Sequence, residues 1–104
     1  MNIQINTDNN VDGNAELKNT LKDYISSDLD RFSDQITRIE VHLSDEDGNK
    51  DGINDRRCLL EARLAGMQPL AVTNRANTDE LAVSGALEKM ENKLNTILGR
   101  LRDR

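Results

Sequence analysis

The last quarter of the sequence, residues 77–102, constrains the possible folds of this chain more than any other segment. Its large apolar residues recur at alternating spacings of four and three, which places them on one face of an α-helix. Asn77 is predicted to cap this helix, and Glu80 three residues later completes a capping-box pattern. Because a single helix cannot bury such a face alone, another part of the chain must pack against it. The predicted face comprises Val83, Ala86, Leu87, Met90, Leu94, Ile97, Leu98 and Leu101.

A second amphipathic helix is predicted over residues 15–32, after a polar loop at residues 7–14. Gly13 or Asn14 is expected to cap it. Tyr24 lies beside the apolar stripe, so this helix also needs a surface on which to pack. Its predicted apolar face comprises Leu17, Leu21, Ile25, Leu29 and Phe32.

Four other segments alternate apolar and polar residues with the period of a β-strand: residues 3–6, 38–44, 57–65 and 70–76. With the helices they give the order β-α-β-β-β-α. The sequence therefore predicts an α+β fold, a two-layer sandwich in which two helices pack on one face of a four-stranded sheet. Short connections make the last three strands antiparallel neighbours. The expected core comprises Leu21, Ile25, Leu29, Ile39, Val41, Leu60, Leu87, Met90 and Leu94.

Composition limits the chain to a few classes of protein. Its 104 residues suffice for one domain with one core, residues 1–104. The formal net charge of -5 argues mildly against nonspecific binding to nucleic acid or acidic membranes, which favour basic surfaces. The single cysteine excludes an internal disulfide, and the sequence shows neither a signal peptide nor a membrane-spanning segment. We therefore expect a soluble cytoplasmic domain.

The polar connection between the second and third strands holds the strongest candidate for a metal site. Asp47, Asn49 and Asp51, followed by Gly52, match the opening of a calcium-binding EF-hand loop. The acid required at the twelfth position is missing, because Cys58 stands there, and the flanking segments are predicted strands. We therefore expect a solvated loop with no resident metal or cofactor, and weak calcium binding remains the alternative.

No group of residues predicts catalysis. His42 is the only histidine and occupies an outward position on its strand, whereas Cys58 occupies an inward one and is interpreted as an inert core residue. The sequence contains neither a nucleophile elbow nor a glycine-rich phosphate loop, and its carboxylates are scattered. We therefore expect neither an enzyme nor a small-molecule substrate.

Basic residues are paired on both helices. Lys18 and Lys22 are four residues apart on the first helix, and Lys89 and Lys93 are four residues apart on the second. If the helices lie side by side, their outer surfaces form one basic stripe that suits an anionic partner. The alternative is an ordinary solvated face, because carboxylates such as Glu88 lie nearby, and the charge pattern alone favours this alternative. Further basic residues at the end of the chain are Arg100, Arg102 and Arg104.

Five short segments carry a resemblance to known proteins when they are taken with the order of the elements. They are residues 3–6 (Ile-Gln-Ile-Asn), 21–25, 29–32, 39–44 and 87–91. Together they resemble the ribosome hibernation-promoting and ribosome-associated inhibitor family. The similarity extends over essentially the whole chain and rests on order, spacing and several matches rather than on one catalytic signature.

This resemblance implies a protein that binds the small ribosomal subunit at the decoding region, where mRNA and tRNA would lie, and inactivates idle ribosomes under stress. Basic helix residues would contact rRNA phosphates, because A-form RNA hides its base edges and offers its backbone. Lys22, Arg31 and Lys89 stand where family members commonly carry basic residues, and Tyr24 stands where an aromatic residue is usual. The expected RNA-binding residues are Lys18, Lys22, Arg31, Lys89, Lys93 and Arg100.

The chain also departs from the family pattern. Asp28, Asn92, Asn95 and Thr96 stand where many relatives carry Lys or Arg, and the total charge is acidic. The extra C-terminal domain of long family members is missing, so a short form is expected. The alternative function is a protein-interaction or regulatory module on the same fold, with weak or no rRNA binding. We expect a monomer or a weak dimer formed through an edge strand.

Overall fold

Helices and strands follow one another in the predicted order within residues 1–8, 15–45 and 56–102, which this computed structural model describes (residues 100–102 by their backbone alone). The α+β fold class is confirmed. The last strand has the predicted bounds, and the two before it differ from the prediction by one or two residues at each end. The elements are β1 (Asn2–Thr7), α1 (Ala15–Asp28), β2 (Ile36–Asp45), β3 (Arg56–Leu64), β4 (Leu70–Ala76) and α2 (Asp79–Arg102).

The four strands form one mixed sheet in the order β1-β2-β3-β4. β2, β3 and β4 are antiparallel neighbours, as predicted, whereas β1 runs parallel to β2 with Ile3 opposite Ile39. A parallel pair needs a crossover connection, and α1 lies within it. The turn between β3 and β4 contains Gly66, whose φ of 72° suits a residue without a side chain.

Both helices pack on one face of the sheet and bury their apolar stripes there. Every residue predicted for the core is buried, and Cys58 lies among them. Leu17, at the start of α1, and Leu98, near the end of α2, are only partly buried against this core. Helical spacing and strand alternation therefore identify the inward side of each element correctly.

α1 ends earlier than the sequence predicts. The predicted helix continues to residue 32, but α1 ends at Asp28 and a short 3₁₀ helix follows at Asp30–Phe32. The Leu29 amide still donates to the Ile25 carbonyl at 3.0 Å, whereas the Phe32 amide donates to the Leu29 carbonyl at 3.0 Å, which is a tighter turn. Leu29 and Phe32 both remain buried, so the apolar spacing does not reveal the change of helix type.

The residue that caps α2 is Thr78, one position after the predicted Asn77. The Thr78 hydroxyl accepts a hydrogen bond from the Leu81 amide at 3.1 Å, which is the contact that an N-cap side chain makes. The Thr78 carbonyl accepts the first helical bond, from the Ala82 amide at 3.0 Å. The spacing from Asn77 to Glu80 therefore points to a capping box one residue too early.

Some predictions concern residues that the structure does not describe, and these stay predictions. The prediction that the loop between β2 and β3 holds no resident metal concerns residues 46–55, which the structure does not describe. The proposed caps Gly13 and Asn14 precede the described part of α1. The side chain of Leu101, the last member of the apolar stripe of α2, is likewise outside.

Candidate nucleic-acid interface

The predicted basic residues of α1 lie at or near the surface. Leu21 and Ile25 point into the core, which leaves Lys22 exposed and Lys18 half-buried one turn earlier. In helical projection, Lys22 and Asp28 lie about 60° to either side of Ile25. Lys22 and Asp28 therefore occupy opposite flanks of α1.

The lysines of α2 lie against the edge strand β4. Lys89 donates from Nζ to the Thr73 carbonyl at 2.7 Å, and Lys93 donates from Nζ to the Ala71 carbonyl at 3.3 Å. The backbone groups of Ala71 and Thr73 point away from β3, because such groups alternate in direction along a strand. Two ammonium groups therefore cover the outer edge of the sheet.

An open groove of about 500 Å³ lies between part of α2 and β4. Its apolar surface includes Val72 and Ile97, and the two lysines that line it bond to β4. An ammonium group has three hydrogens to donate, so each lysine keeps two for another acceptor while it remains bonded to β4. The groove can therefore bind an anionic group without losing its contacts to the strand. Its lining residues are Val72, Lys89, Asn92, Lys93, Thr96 and Ile97.

Acidic side chains meet at the junction between the two helices. Glu91, on the flank of α2 away from Lys89, forms a side-chain hydrogen bond with Asp28 of α1. Burial raises the pKa of Glu91, and the hydrogen bond and the negative charge of Asp28 raise it further, while the Arg31 guanidinium acts in the opposite direction.

The six expected RNA-binding residues do not gather at one place. Lys89 and Lys93 lie toward β4, whereas Lys22 lies on the flank of α1 away from Asp28. Arg31 lies near the acidic junction, with its guanidinium 4.5 Å from the centre of the Phe32 ring. The side chain of Arg100 is outside the described part of the chain. The described lysines thus lie on two flanks of the helical layer, with the acidic pair between them.

The opposite face of the sheet, which we call the open face, carries more basic than acidic charge. Its side chains are the outward ones of all four strands, where the sequence places four arginines and two glutamates. By contrast, α1 and α2 together contain six basic and seven acidic residues in the sequence. The open face is therefore the more basic of the two surfaces. Its charged residues are Arg38, Glu40, Arg57, Glu61, Arg63 and Arg75.

Strand register places like charges opposite one another on the open face. Arg57 of β3 faces Arg75 of β4, and Arg38 of β2 faces Arg63 of β3. Between these pairs Glu40 faces Glu61. Strand alternation places most of these residues outward, but the register between strands is needed to see which of them meet.

Glu40 also bonds along its own strand. Its carboxylate lies 2.8 Å from the Arg38 guanidinium and 3.7 Å from Nε2 of His42. Arg38 donates a further hydrogen bond to the side chain of Gln4 on β1. His42 is therefore an outward strand residue, as predicted, and forms part of a charged network.

The remaining candidate side chains do not form a reactive centre. Cys58 is fully buried, and burial raises the pKa of its thiol to about 12, so the thiolate that reacts is scarce at neutral pH. Among the side chains that the structure describes, no three from His, Cys, Asp and Glu are grouped so that they could hold a metal ion. In the same part of the chain, no helix combines the length and the apolarity needed to cross a membrane.

Solved structures share this fold, and two of them serve as examples. The N-terminal domain of Thermus thermophilus Protein Y superimposes with a TM-score of 0.73 at 18% identity, covering 93% of this chain and 99% of that domain. A ribosomal subunit interface protein from Coxiella burnetii gives a TM-score of 0.71 at 18% identity, covering 95% of this chain and 99% of its own. At this level of identity the likeness shows the fold alone. No curated protein sequence matches this chain significantly.

Family membership is shown by the sequence. Residues 7–102 match the family described as Sigma 54 modulation protein / S30EA ribosomal protein. The match extends from the last residue of β1 to the end of α2, and therefore includes both helices and three of the four strands. The resemblance predicted from short segments is thereby confirmed, and the chain belongs to the Sigma 54 modulation protein / S30EA ribosomal protein family.

Proposed function

We propose that this protein binds the small ribosomal subunit and restrains translation as a hibernation factor, using basic side chains of its helices. The observation that carries the proposal is the family match over residues 7–102. The fold shared with a protein named as a ribosomal subunit interface protein supports it. The family and the fold together favour association with ribosomes over the interaction-module alternative.

The helical contacts would be made at two separate places. Lys18 and Lys22 present ammonium groups on one flank of α1, and Lys89 and Lys93 present theirs over the groove beside β4. Lysines bind phosphate as point charges, without a requirement for base edges. The acidic pair between the two places would face away from phosphate or lie over a gap between phosphates. The protein would thus contact rRNA at two sites rather than along one stripe.

Affinity for purified small ribosomal subunits, measured at several salt concentrations, tests this proposal. Each lysine that neutralises a phosphate releases counterions, so affinity should fall steeply as salt rises. The Lys22→Gln, Lys89→Gln variant removes one charge from each place and keeps side chains of similar length. It should bind more weakly. The slope of log K against log salt should become shallower by about 1.4 to 1.8, which corresponds to the loss of two phosphate contacts.

The Gln35→Glu, Gln68→Glu variant provides the matched control. Both glutamines are exposed in turns, and their replacement lowers the net charge by the same two units. This control should bind nearly as tightly as the wild type. If the wild type shows no binding at low salt, the proposed function is wrong and the interaction-module alternative takes its place. If the control weakens as much as the lysine variant, the helical lysines are not the contact residues.

A further inference from the structure

The groove between α2 and β4 combines two kinds of surface, and a phosphate group uses only one of them. Lys89 and Lys93 supply ammonium groups, and Val72 and Ile97 add apolar surface beside them. Among the described residues that line the groove none is acidic, so an anion that enters it meets no repelling carboxylate there. Its volume of about 500 Å³ falls within the range of sites for small organic groups, about 300–1,000 Å³. The groove therefore suits a ligand that has both negative charge and an apolar face.

The two ammonium groups are spaced to bind neighbouring phosphates of one strand of nucleic acid. Their acceptors on β4, the carbonyls of Thr73 and Ala71, are two residues apart. Two residues of a β-strand span about 7 Å. The phosphates on either side of one nucleotide in an extended strand lie at a comparable separation. Each ammonium group can bind one of them with the hydrogens that its bond to β4 leaves over, and the nucleotide between them then lies over the groove.

Neutral polar groups beside the lysines can bond to the edge of a base. Asn92 lines the groove and is exposed, and its side-chain amide both donates and accepts hydrogen bonds, as base edges do. The hydroxyl of Thr96 donates to the Asn92 carbonyl at 3.0 Å, and its oxygen can still accept a bond from a ligand. The groove therefore offers polar contacts of the kind that a base needs, next to the apolar surface that its ring can cover.

A paired nucleotide cannot use this apolar surface. In an A-form RNA helix the bases are stacked and paired, so a protein meets phosphates, sugars and the shallow minor groove. An unpaired nucleotide can turn its base out of the strand. Proteins bind such bases against apolar or aromatic side chains and hydrogen-bond their edges. The apolar part of the groove therefore favours an unpaired nucleotide over the backbone of a duplex.

We infer that the groove beside β4 holds one unpaired nucleotide of RNA. Its base packs against Val72 and Ile97, and the base edge bonds to the side-chain amide of Asn92. Its two flanking phosphates bind Lys89 and Lys93. This inference rests on the proposed function, because the ribosome supplies the RNA, and it deepens that function. The contact at α2 then requires a base, whereas lysines that bind as point charges require phosphate alone.

NMR titration of the protein with short RNA tests the inference without ribosomes. The probes are single-stranded hexamers of adenosine and of uridine, and polyphosphate of similar charge is the matched comparison without bases. At low salt at least one hexamer should shift the methyl signals of Val72 and Ile97, because a base covers these side chains. Polyphosphate should shift the side-chain signals of Lys89 and Lys93 and leave the methyl signals nearly unchanged. Methyl signals that neither hexamer shifts, or that polyphosphate shifts equally, would overturn the inference.

Asn92→Ala tests the contact to the base with purified small ribosomal subunits. It should lower the affinity at least about fivefold, the scale of a lost contact to a base edge. The slope of log K against log salt should stay the same, since Asn92 neutralises no phosphate. Asn95→Ala is the matched control, because Asn95 is exposed on the same helix and is not among the residues that line the groove. This control should bind like the wild type, and equal affinities of the two variants would contradict the inference.

The outcomes separate this inference from the proposed function. If the Lys22→Gln, Lys89→Gln variant binds small subunits weakly but Asn92→Ala binds them like the wild type, the proposed function stands and the inference is wrong. If the wild type binds no small subunits but a hexamer shifts the methyl signals of Val72 and Ile97, the proposed function is wrong and the groove binds RNA from another source. If neither binding is observed, both are wrong.

Discussion

The side chain of Asn74 occupies the space in which a side chain on Gly85 would lie. A β-carbon built on Gly85 would come within 2.6 Å of Cγ of Asn74 and closer still to its Nδ2 atom. That amide donates to the carbonyls of Leu81, at 3.4 Å, and Ala82, at 3.2 Å. Asn74 therefore joins β4 to the first turns of α2, and the absence of a side chain at position 85 lets it do so.

The first prediction concerns Gly85→Ala. Helix propensity alone would make alanine the more stable residue by about 1 kcal/mol. In this position the new methyl group must displace Asn74 from its bonds, so we expect a net destabilisation of about 1–3 kcal/mol, the range for overpacking. Chemical denaturation of the variant and the wild type measures the difference.

Two further variants control this prediction. Gly99→Ala, in the same helix, has no atom within 4 Å of the added carbon, so it should be neutral or stabilising. Asn74→Ala combined with Gly85→Ala should lower the free energy of unfolding by less than the sum of the two single changes. The reason is that Asn74→Ala removes the side chain with which the new methyl group at position 85 would clash. Equal stabilisation by both glycine replacements would show that Asn74 does not fill the space beside position 85.

The second prediction concerns pH. Burial, followed by the hydrogen bond and charge of Asp28, raises the pKa of Glu91 in the folded state. The folded protein therefore holds this proton more tightly than the unfolded chain, and stability falls as pH rises from the ordinary carboxyl value through the raised one. Glu91→Gln should remove that fall. The melting temperature of the variant should exceed that of the wild type at pH 7, with little difference between them at pH 4.

Asp23→Asn is the matched control for this comparison. Asp23 is an exposed carboxylate on α1, away from the junction, so its loss should change the melting temperature equally little at both pH values. If Glu91→Gln behaves in the same way as Asp23→Asn, the carboxyl groups of Asp28 and Glu91 do not interact in solution.

The third prediction concerns the edge of the sheet. Lys89 and Lys93 cover the outward carbonyls of Thr73 and Ala71, and a charged lysine on an edge opposes pairing with another strand. Lys89→Met with Lys93→Met should expose this edge and promote self-association. Sedimentation velocity over a range of concentrations would detect the resulting dimers or larger species.

The Lys18→Met, Lys22→Met variant loses the same two charges on α1, where neither lysine forms a described contact with a sheet edge. It should stay in the oligomeric state of the wild type. Self-association of both variants to the same extent would attribute the effect to lower charge repulsion, and the edge-covering role would be wrong.

Periodicity was sufficient to predict the core but not the finer backbone. Leu87, Met90 and Leu94 share one face of α2, so their burial follows from their spacing alone. Leu29 and Phe32 are three residues apart, a spacing that suits both an α-helix and a 3₁₀ turn. The end of α1 was therefore predicted too late.

The candidate site was less predictable because it depends on neighbours distant in sequence. Four-residue spacing shows that Lys89 and Lys93 share a side of α2, but it does not show that this side lies against β4. Likewise, strand alternation places Arg57 outward, and only the register of β3 with β4 places it opposite Arg75. The spacing of nearby residues does not specify which strand a helix packs against or which residues of two strands pair.

The parallel pairing of β1 with β2 has a consequence for synthesis of the chain. Asn2 pairs with Arg38, and Thr7 pairs with Leu43. Each residue of the first strand therefore cannot pair until the residue 36 positions later has been synthesised. At ordinary elongation rates of about 5 to 20 residues per second, that interval lasts about 2 to 7 seconds. Throughout it, β1 lacks the strand that pairs with its backbone groups, and Ile3 and Ile5 lack the core that covers them in the folded protein. The parallel part of the sheet therefore forms later than the synthesis of its first strand by at least this interval.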